Sequence, residues 1–552
     1  MLAESKQCQN CKKEFRIEPE DFAMYEKRSI PPSDKCPVCR WKHLLSFWVF
    51  GRFRIGESAL SGKRIITVLP ENTAFPVYDY KEFISDKWDP MVYGQNYDFD
   101  RPFFKQFAEL QAKVPHPHQV GLGNTDCPWT DDWWYSKECY LCRSGIYCEK
   151  TSYAYRVSGL KDCVDITYSF DLEQSYDCLY CFKSYKLRHA FNSRNCLESA
   201  FLYDCRNVQN CFMCWNLRNK KYHILNKPYS KDDYFKKLKE FDLHSYSVVQ
   251  KFKEEFASHI ANDATHRENF NTQTVNCRGN FLSECKNCYN CYFVNNSENL
   301  RHSFRAYEAK DAIDTISCMS EHSAVSSLDQ LGYGNVGLLY GTKCRYSVYL
   351  DSCDECEYCF GCIGLRKKSF CILNKQYSEQ EYHKIVEKIK ADMQKRDEWG
   401  RFLPLSMAYS GYNLSLAQIM FPEKEDTIAE IGGRWDTLPV QNFANTINSE
   451  DLPGRIDDVK DDIVKQRIIC AETGLSYNIA PHELAFYKEH GIPLPRRHFD
   501  LRTLNRFRSM TLMIYPQRGT CMICQTEIEH YYSSKLGYKK IACVDCYQRE
   551  VV

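Results

Sequence analysis

At 552 residues, with a formal charge of +1 and 43% apolar content, the chain is long enough for roughly three to five domains. Its balance describes a foldable chain, neither disordered nor dominated by one sign of charge, so any nucleic acid must be met by a local patch. The first residues lack the apolar core of a secretory signal, and LLSFWVF at 44–50 is far too short to span a bilayer, which predicts a cytoplasmic protein without membrane contact. In a reducing compartment 31 cysteines read as metal ligands or buried thiols.

The N-terminal segment carries Cys8 and Cys11, then Cys36 and Cys39 in CPVC. Two CxxC knuckles supply four thiolates, enough to close a tetrahedral zinc site in a module too small to fold on its own core. Residues 1–56 are therefore assigned as a zinc-binding ribbon. From Arg40 to Arg64 the chain is strongly basic: Arg40, Lys42, Arg52 and Arg54 alternate with Trp41, Phe47, Trp48 and Phe53, a composition suited to phosphate neutralisation with base stacking. A solvated helix face packed on the ribbons is the plainer reading of the same residues.

Residues 57–135 form a metal-free, ribbon-like module and linker. SALSGKRIITVL from Ser58 parallels CMICQTEIEHYY from Cys521, which puts Ser58, Ser61, Val77 and Tyr80 at four ligand places. His116 and His118, in PHPH, read as a surface turn.

Twenty-two cysteines then fall between Cys127 and Cys371, among short Tyr-, Asn- and Ser-rich segments. A shift of 148 overlays residues 196–234 on 344–382 with 17 of 39 identities, among them Cys205 with Cys353, Cys211 with Cys359 and Asn226 with Asn374. Both copies end in ILNK and a helix start, with Ser230 and Ser378 as N-caps and a capping box from Ser378 to Glu381. Quasi-periodic strands too short to bury anything singly predict a solenoid in which stacked rungs share a core. The spans are repeat one at 136–228, a helical segment at 229–270, repeat two at 271–375, and a helical segment and linker at 376–450.

CDECEYCFGC, with Cys353, Cys356, Cys359 and Cys362, and the run Cys285, Cys288, Cys291 raise the possibility of an iron-sulfur cluster. The internal copy argues against it, because Val208 stands where Cys356 stands, and a ligand cannot become valine whereas a core position can. Asp311 with Asp314 and Asp351 with Asp354 have the spacing of paired acids for carbohydrate chemistry, but turn-forming aspartate explains them more simply. No GxSxG, phosphate-binding glycine loop or HExxH occurs, so the reading leans away from an enzyme.

At the C-terminus, residues 451–510 repeat the N-terminal ribbon with a shift of 462, but Thr473, His498 and Leu501 replace three of the four ligands beside Cys470. Residues 511–552 are a second zinc-binding ribbon built on Cys521, Cys524, Cys543 and Cys546. Another basic segment lies between them, with Arg496, Arg497, Arg502, Arg506 and Arg508 interleaved by Phe499 and Phe507.

CPVCR, SDKWDP, the repeats closing in ILNKQYS and the terminal HELAFYKEHGIPLPRR together resemble uncharacterised cysteine-rich zinc-ribbon repeat proteins of candidate-phyla bacteria, over nearly the whole chain. The resemblance implies an architecture and no established activity; the cysteine-poor positions Ser58, Thr473, His498 and Leu501 depart from its pattern. The expected fold is mainly β with helical inserts, a cysteine-rich β-solenoid (β-helix-like) flanked by paired zinc-ribbon or treble-clef-like modules. The expected function is a non-enzymatic binding scaffold holding two structural Zn2+ ions. It would contact nucleic acid (RNA or DNA) or a ribonucleoprotein, the ribosome among them, through the basic segments, with a protein partner as the alternative.

Overall fold

The computed structural model describes residues 2–437, 443, 445–511 and 514–552. The chain is mostly strand with helices and divides into two compact units, Met1–Gln119 with Asn269–Thr437, and Val120–Glu268 with Leu438–Val552. Each unit thus joins one cysteine-rich half of the middle to one end of the chain.

In the second unit the cysteine-rich segment forms a twelve-stranded, almost wholly parallel sheet from Thr130–Trp134 to Lys227–Pro228, within which five strands close into a ring. Its register is uniform: Leu187 pairs with Ser199, Ala200 with Phe212 and Cys211 with His223, each twelve residues on. Every third residue is left-handed, for example Glu138 at φ 53°, Leu141 at 52°, Ser144 at 52° and Tyr147 at 54°. This conformation costs about 1–2 kcal/mol for an L-residue and least for Asn and Asp, which accounts for Asn192, Asn195, Asn207, Asn216 and Asn219 at such sites. Backbone bonds offset the cost: Tyr140 donates to Thr151 O at 2.9 Å, and Tyr153 donates to Tyr140 O at 3.0 Å.

The residue after each left-handed one points inward. Cys139, Cys142, Cys148, Ala154, Val157, Leu160, Cys163 and Ile166 fall on this three-residue spacing and form one buried cluster that continues to Cys214. The sequence spacing of three is therefore the spacing of core positions. Cys353, Cys356, Cys359 and Cys362 are four successive such positions in the first unit, each no more than 1% exposed. The same rule holds there, with Tyr289 bridging Arg301 and Arg301 bridging Ile313. A one-residue slip follows Cys318, where Met319 pairs with Gln330, eleven residues on. That slip is one source of the irregular cysteine spacing in the sequence.

Each stack ends on the ILNK hairpin. Asn226 exchanges two side-chain hydrogen bonds with the Trp215 backbone, and Asn374 does the same with Ile363, at 2.8–3.0 Å. The predicted caps form: Ser230 accepts from Asp233 N, and Ser378 with Glu381 makes the capping box of the helix Glu379–Lys395, which buries Tyr382, Val386, Ile389 and Met393. Among the described residues no helix is long and apolar enough to cross a membrane.

Candidate metal centres

Cys8, Cys11, Cys36 and Cys39 come together from a hairpin and a helix. The strands Glu4–Gln7 and Glu14–Ile17 present the first knuckle, and the helix Pro37–Leu45, with Cys36 as its N-cap, presents the second. Cys521, Cys524, Cys543 and Cys546 repeat this on the hairpin Gln517–Thr520 and Glu527–His530 and the helix Val544–Val551, N-capped by Cys543. In each quartet the sulfurs lie within 4.8 Å of one another. The Cys11–Cys36 and Cys524–Cys543 separations of 3.7 and 3.8 Å match the edge of a tetrahedron whose metal–sulfur bonds are about 2.3 Å. The thiol of Cys521 is lowered to about 6: burial opposes ionisation, but the N–H groups of Cys524, Cys543 and Ile523 favour the thiolate. Both quartets can hold a metal ion with no open coordination position.

Among the described residues, ligand atoms converge in these two groups and in no other. The sulfurs of CDECEYCFGC do not gather; they donate singly to carbonyls, Cys353 to Asp351 and Cys362, Cys356 to Asp354 and Leu365, at 3.4–3.5 Å. Cys285, Cys288 and Cys291 behave alike. All 31 cysteines are free thiols.

The two cysteine-poor modules keep the same frame. In the four-cysteine modules Cys36 N donates to Cys8 Sγ at 3.2 Å and Cys543 N to Cys521 Sγ at 3.3 Å. In the third, Asp79 N donates to Ser58 Oγ at 3.2 Å, and Asp79 N-caps the helix Tyr80–Phe83. The third and fourth ligand places there are therefore Asp79 and Glu82, two residues on from the Val77 and Tyr80 expected by sequence alignment. A short loop hid the offset, since the helix N-terminus and not the sequence gap fixes the place. Glu82 accepts from Ser58 and is held below its usual range by Ser58 and Ser61, so hydrogen bonds tie together the places that a metal ion could tie in the four-cysteine modules. In the fourth, the Cys470 sulfur receives the His498 N–H and the Thr473 hydroxyl.

The structure spends much of the basic character of the two linking segments internally. Arg40 is buried, bonded to Tyr25 Oη at 2.8 Å and ion-paired with Asp314. Arg502, 462 residues later, ion-pairs with Asp165 beside Tyr487, itself 462 residues after Tyr25. The two copies thus dock on their stacks through one arrangement of tyrosine, arginine and stack aspartate. Arg506 bonds Asp165 at 2.9 Å, Lys42 pairs with Glu423, Arg54 donates to Leu69 O and Pro70 O, and Arg497 to Glu472. Arg496 donates to Glu450 O and Leu452 O. Arg52 and Arg508 are exposed. Arg40, Arg502 and Arg506, expected above to meet phosphate, are largely buried against these stack carboxylates. Charge counting found the cations but not the carboxylates, which arrive from more than 270 positions away.

The acid pairs are not paired sites. Asp314 belongs to Arg40 and Tyr25, while Asp351 belongs to His116 at 3.2 Å, Gln111 and Tyr409. His116 and His118 are likewise corrected from surface turn to buried residues, His118 Nδ1 accepting from Tyr80 N at 2.9 Å. Compared with known families and with curated proteins, the sequence matches neither a family model nor a curated relative.

Proposed function

We propose that the protein is a non-enzymatic scaffold, cytoplasmic and stabilised by two structural zinc ions. In this reading each cysteine-lined stack is a four-sided β-solenoid of twelve residues per turn, held by treble-clef-like modules, and one of its sides contacts single-stranded nucleic acid. Zinc is favoured by the all-cysteine quartets and their tetrahedral edge lengths. A cytoplasmic setting is favoured by the free thiols.

The observation that carries the partner is one column of the second unit. Phe170, Phe182 and Arg194 follow at twelve-residue steps, and the Arg194 guanidinium lies 4.7 Å from the Phe182 ring. Arg194 and the adjacent Lys183 are exposed, as are Asn195 and Asn207, whose amides form a ladder bond of 3.1 Å. Cations beside aromatic faces at a rung spacing of about 4.8 Å suit phosphate and base together. The test is fluorescence anisotropy of labelled single-stranded RNA and DNA against salt. Binding is expected to fall steeply between about 50 and 200 mM salt and by at least about tenfold in Lys183→Glu/Arg194→Glu. Affinity indifferent to salt and to that variant, or absent altogether, refutes the reading.

A further inference from the structure

The first unit's stack opens on the rung around residues 272–278. Its parallel bridges begin with Thr272 to Ser283 and Val275 to Lys286, and among the described residues no earlier rung pairs with it. Thr272, Gln273, Val275, Asn276 and Arg278 are accordingly exposed. Cys277 holds the inward place of this rung and packs on the cluster of Leu282, Cys285 and Cys288. Of the 22 cysteines between Cys127 and Cys371 it is the one that is not buried, because a core position at the end of a stack has a neighbouring rung on one side only.

That neighbour carries a second thiol. Arg278 pairs with Tyr289 and its N–H donates to Cys288 O at 2.9 Å, so Cys288 faces Cys277 one rung on. Rungs about 4.8 Å apart place facing Cα atoms inside the span of about 4.4–6.8 Å that a disulfide bridges. The Cys288 N–H donates to Cys277 Sγ at 3.4 Å. Its thiol donates to the same sulfur, and this bond and then the N–H lower Cys277 to about 6 against the effect of burial. The same bond raises Cys288, which keeps its proton. A partly exposed thiolate with a protonated thiol beside it has the parts of a nucleophile and its resolving partner. The second unit's stack starts on a similar pair, with Cys139 N donating to Cys127 Sγ at 3.3 Å, but there the outer thiol is buried.

We propose that Cys277 is an oxidation site for hydroperoxides and that Cys288 resolves it as an intramolecular disulfide. In the first step the Cys277 sulfur attacks the peroxide, a sulfur–oxygen bond forms, the oxygen–oxygen bond breaks, and the alcohol (water, from hydrogen peroxide) leaves with a proton from solvent. In the second the Cys288 sulfur attacks the sulfenic acid, the sulfur–sulfur bond forms, and the oxygen leaves as water with the Cys288 proton. Two thiols lose two electrons and the hydroperoxide gains them. The bond clamps the first rung of the stack to the second, and it does not rest on the nucleic-acid reading, which concerns the other unit.

The test uses the zinc-loaded full chain and peptide mass mapping, which reads each cysteine separately from the metal quartets. Limiting iodoacetamide should label Cys277 at least about tenfold faster than Cys127, Cys288 or Cys291. Excess hydrogen peroxide should produce a Cys277–Cys288 disulfide that dithiothreitol reverses. Cys288→Val should instead hold Cys277 as the sulfenic acid, captured by dimedone, and Cys277→Ser should leave Cys288 a free thiol. Circular dichroism and zinc content check that both variants are folded, and the labelling of the parent chain depends on neither. Cys277 labelled no faster than the buried thiols, no Cys277–Cys288 bond in the peroxide-treated parent, or a bond from Cys277 to another cysteine in its place overturns the proposal.

Discussion

Asp329 occupies an inward position of the first unit's stack, in the strand Ala324–Tyr333, and is fully buried. Ser320 Oγ donates to it at 2.9 Å, Ser323 Oγ at 2.6 Å and Asn335 Nδ2 at 3.3 Å, all neutral donors. Burial outweighs these bonds and raises the carboxyl to about 6. Because the folded value lies above the unfolded value of about 3.9, ionisation disfavours folding. Above pH 6 both states are ionised and the whole cost is present; between about pH 4 and 6 the folded chain alone holds the proton, so stability at this site rises as pH falls. A gap of about two pH units at 1.36 kcal/mol each gives about 3 kcal/mol. Asp329→Asn keeps the shape and offers one acceptor and one donor to the two serines. The variant should be more stable than the parent by up to about 3 kcal/mol at pH 7.5, and the advantage should vanish near pH 4. Urea midpoints of both proteins across that range measure it. An equal difference at both ends, or a variant weaker than the parent at pH 7.5, would refute the account.

Three further outcomes follow from the same geometry. Metal analysis should find two zinc ions per chain, and Cys36→Ser should lose one while the sheet signal in circular dichroism persists, since the stack has its own core. Arg40→Met leaves Asp314 charged and buried, at a cost of about 3–5 kcal/mol, and adding Asp314→Leu should restore most of it in thermal unfolding. Cys356→Val, which copies Val208, should change stability by less than about 1.5 kcal/mol and metal content not at all; loss of metal would revive a ligand role for CDECEYCFGC.

The end quartets were legible in the sequence because metal ligation imposes a spacing that packing does not. The capping box at Ser378 was legible for a similar local reason. The core role of CDECEYCFGC was reached only through its copy, by Val208, and the rule behind it was missed. A step of three is neither the strand period of 2 nor the helix period of 3.6, and it arises because a left-handed residue resets the chain at each third position. The signal was present: cysteine, alanine, valine and leucine keep that step from Cys139 to Cys163, with Asn and Asp gathered just before it in later turns. The docking aspartates could not have been read at all, because their partners are brought together only by the fold.

The duplicated modules show what metal is needed for. All four keep the bond from the third ligand residue's backbone N–H to the first ligand's side chain, whether that acceptor is the sulfur of Cys8, Cys470 or Cys521 or the hydroxyl of Ser58. That bond sets the knuckle against the helix N-terminus. In a four-cysteine module a bound ion would then fix the remaining two ligands. In the Ser58 module Glu82 and Ser61 do so, and in the Cys470 module Leu501 is buried and Arg502, the next residue, anchors the helix on Asp165. Metal is thus one of several ways to hold a helix end on a hairpin: hydrogen bonds among Ser58, Ser61 and Glu82 serve in one cysteine-poor module, and those of Cys470 with Thr473 and His498 in the other. A catalytic ion could not be exchanged in this way, whereas a structural one can. The pattern therefore assigns the thiols of the two quartets to joining hairpin and helix, and those of the cysteine-rich middle to its core.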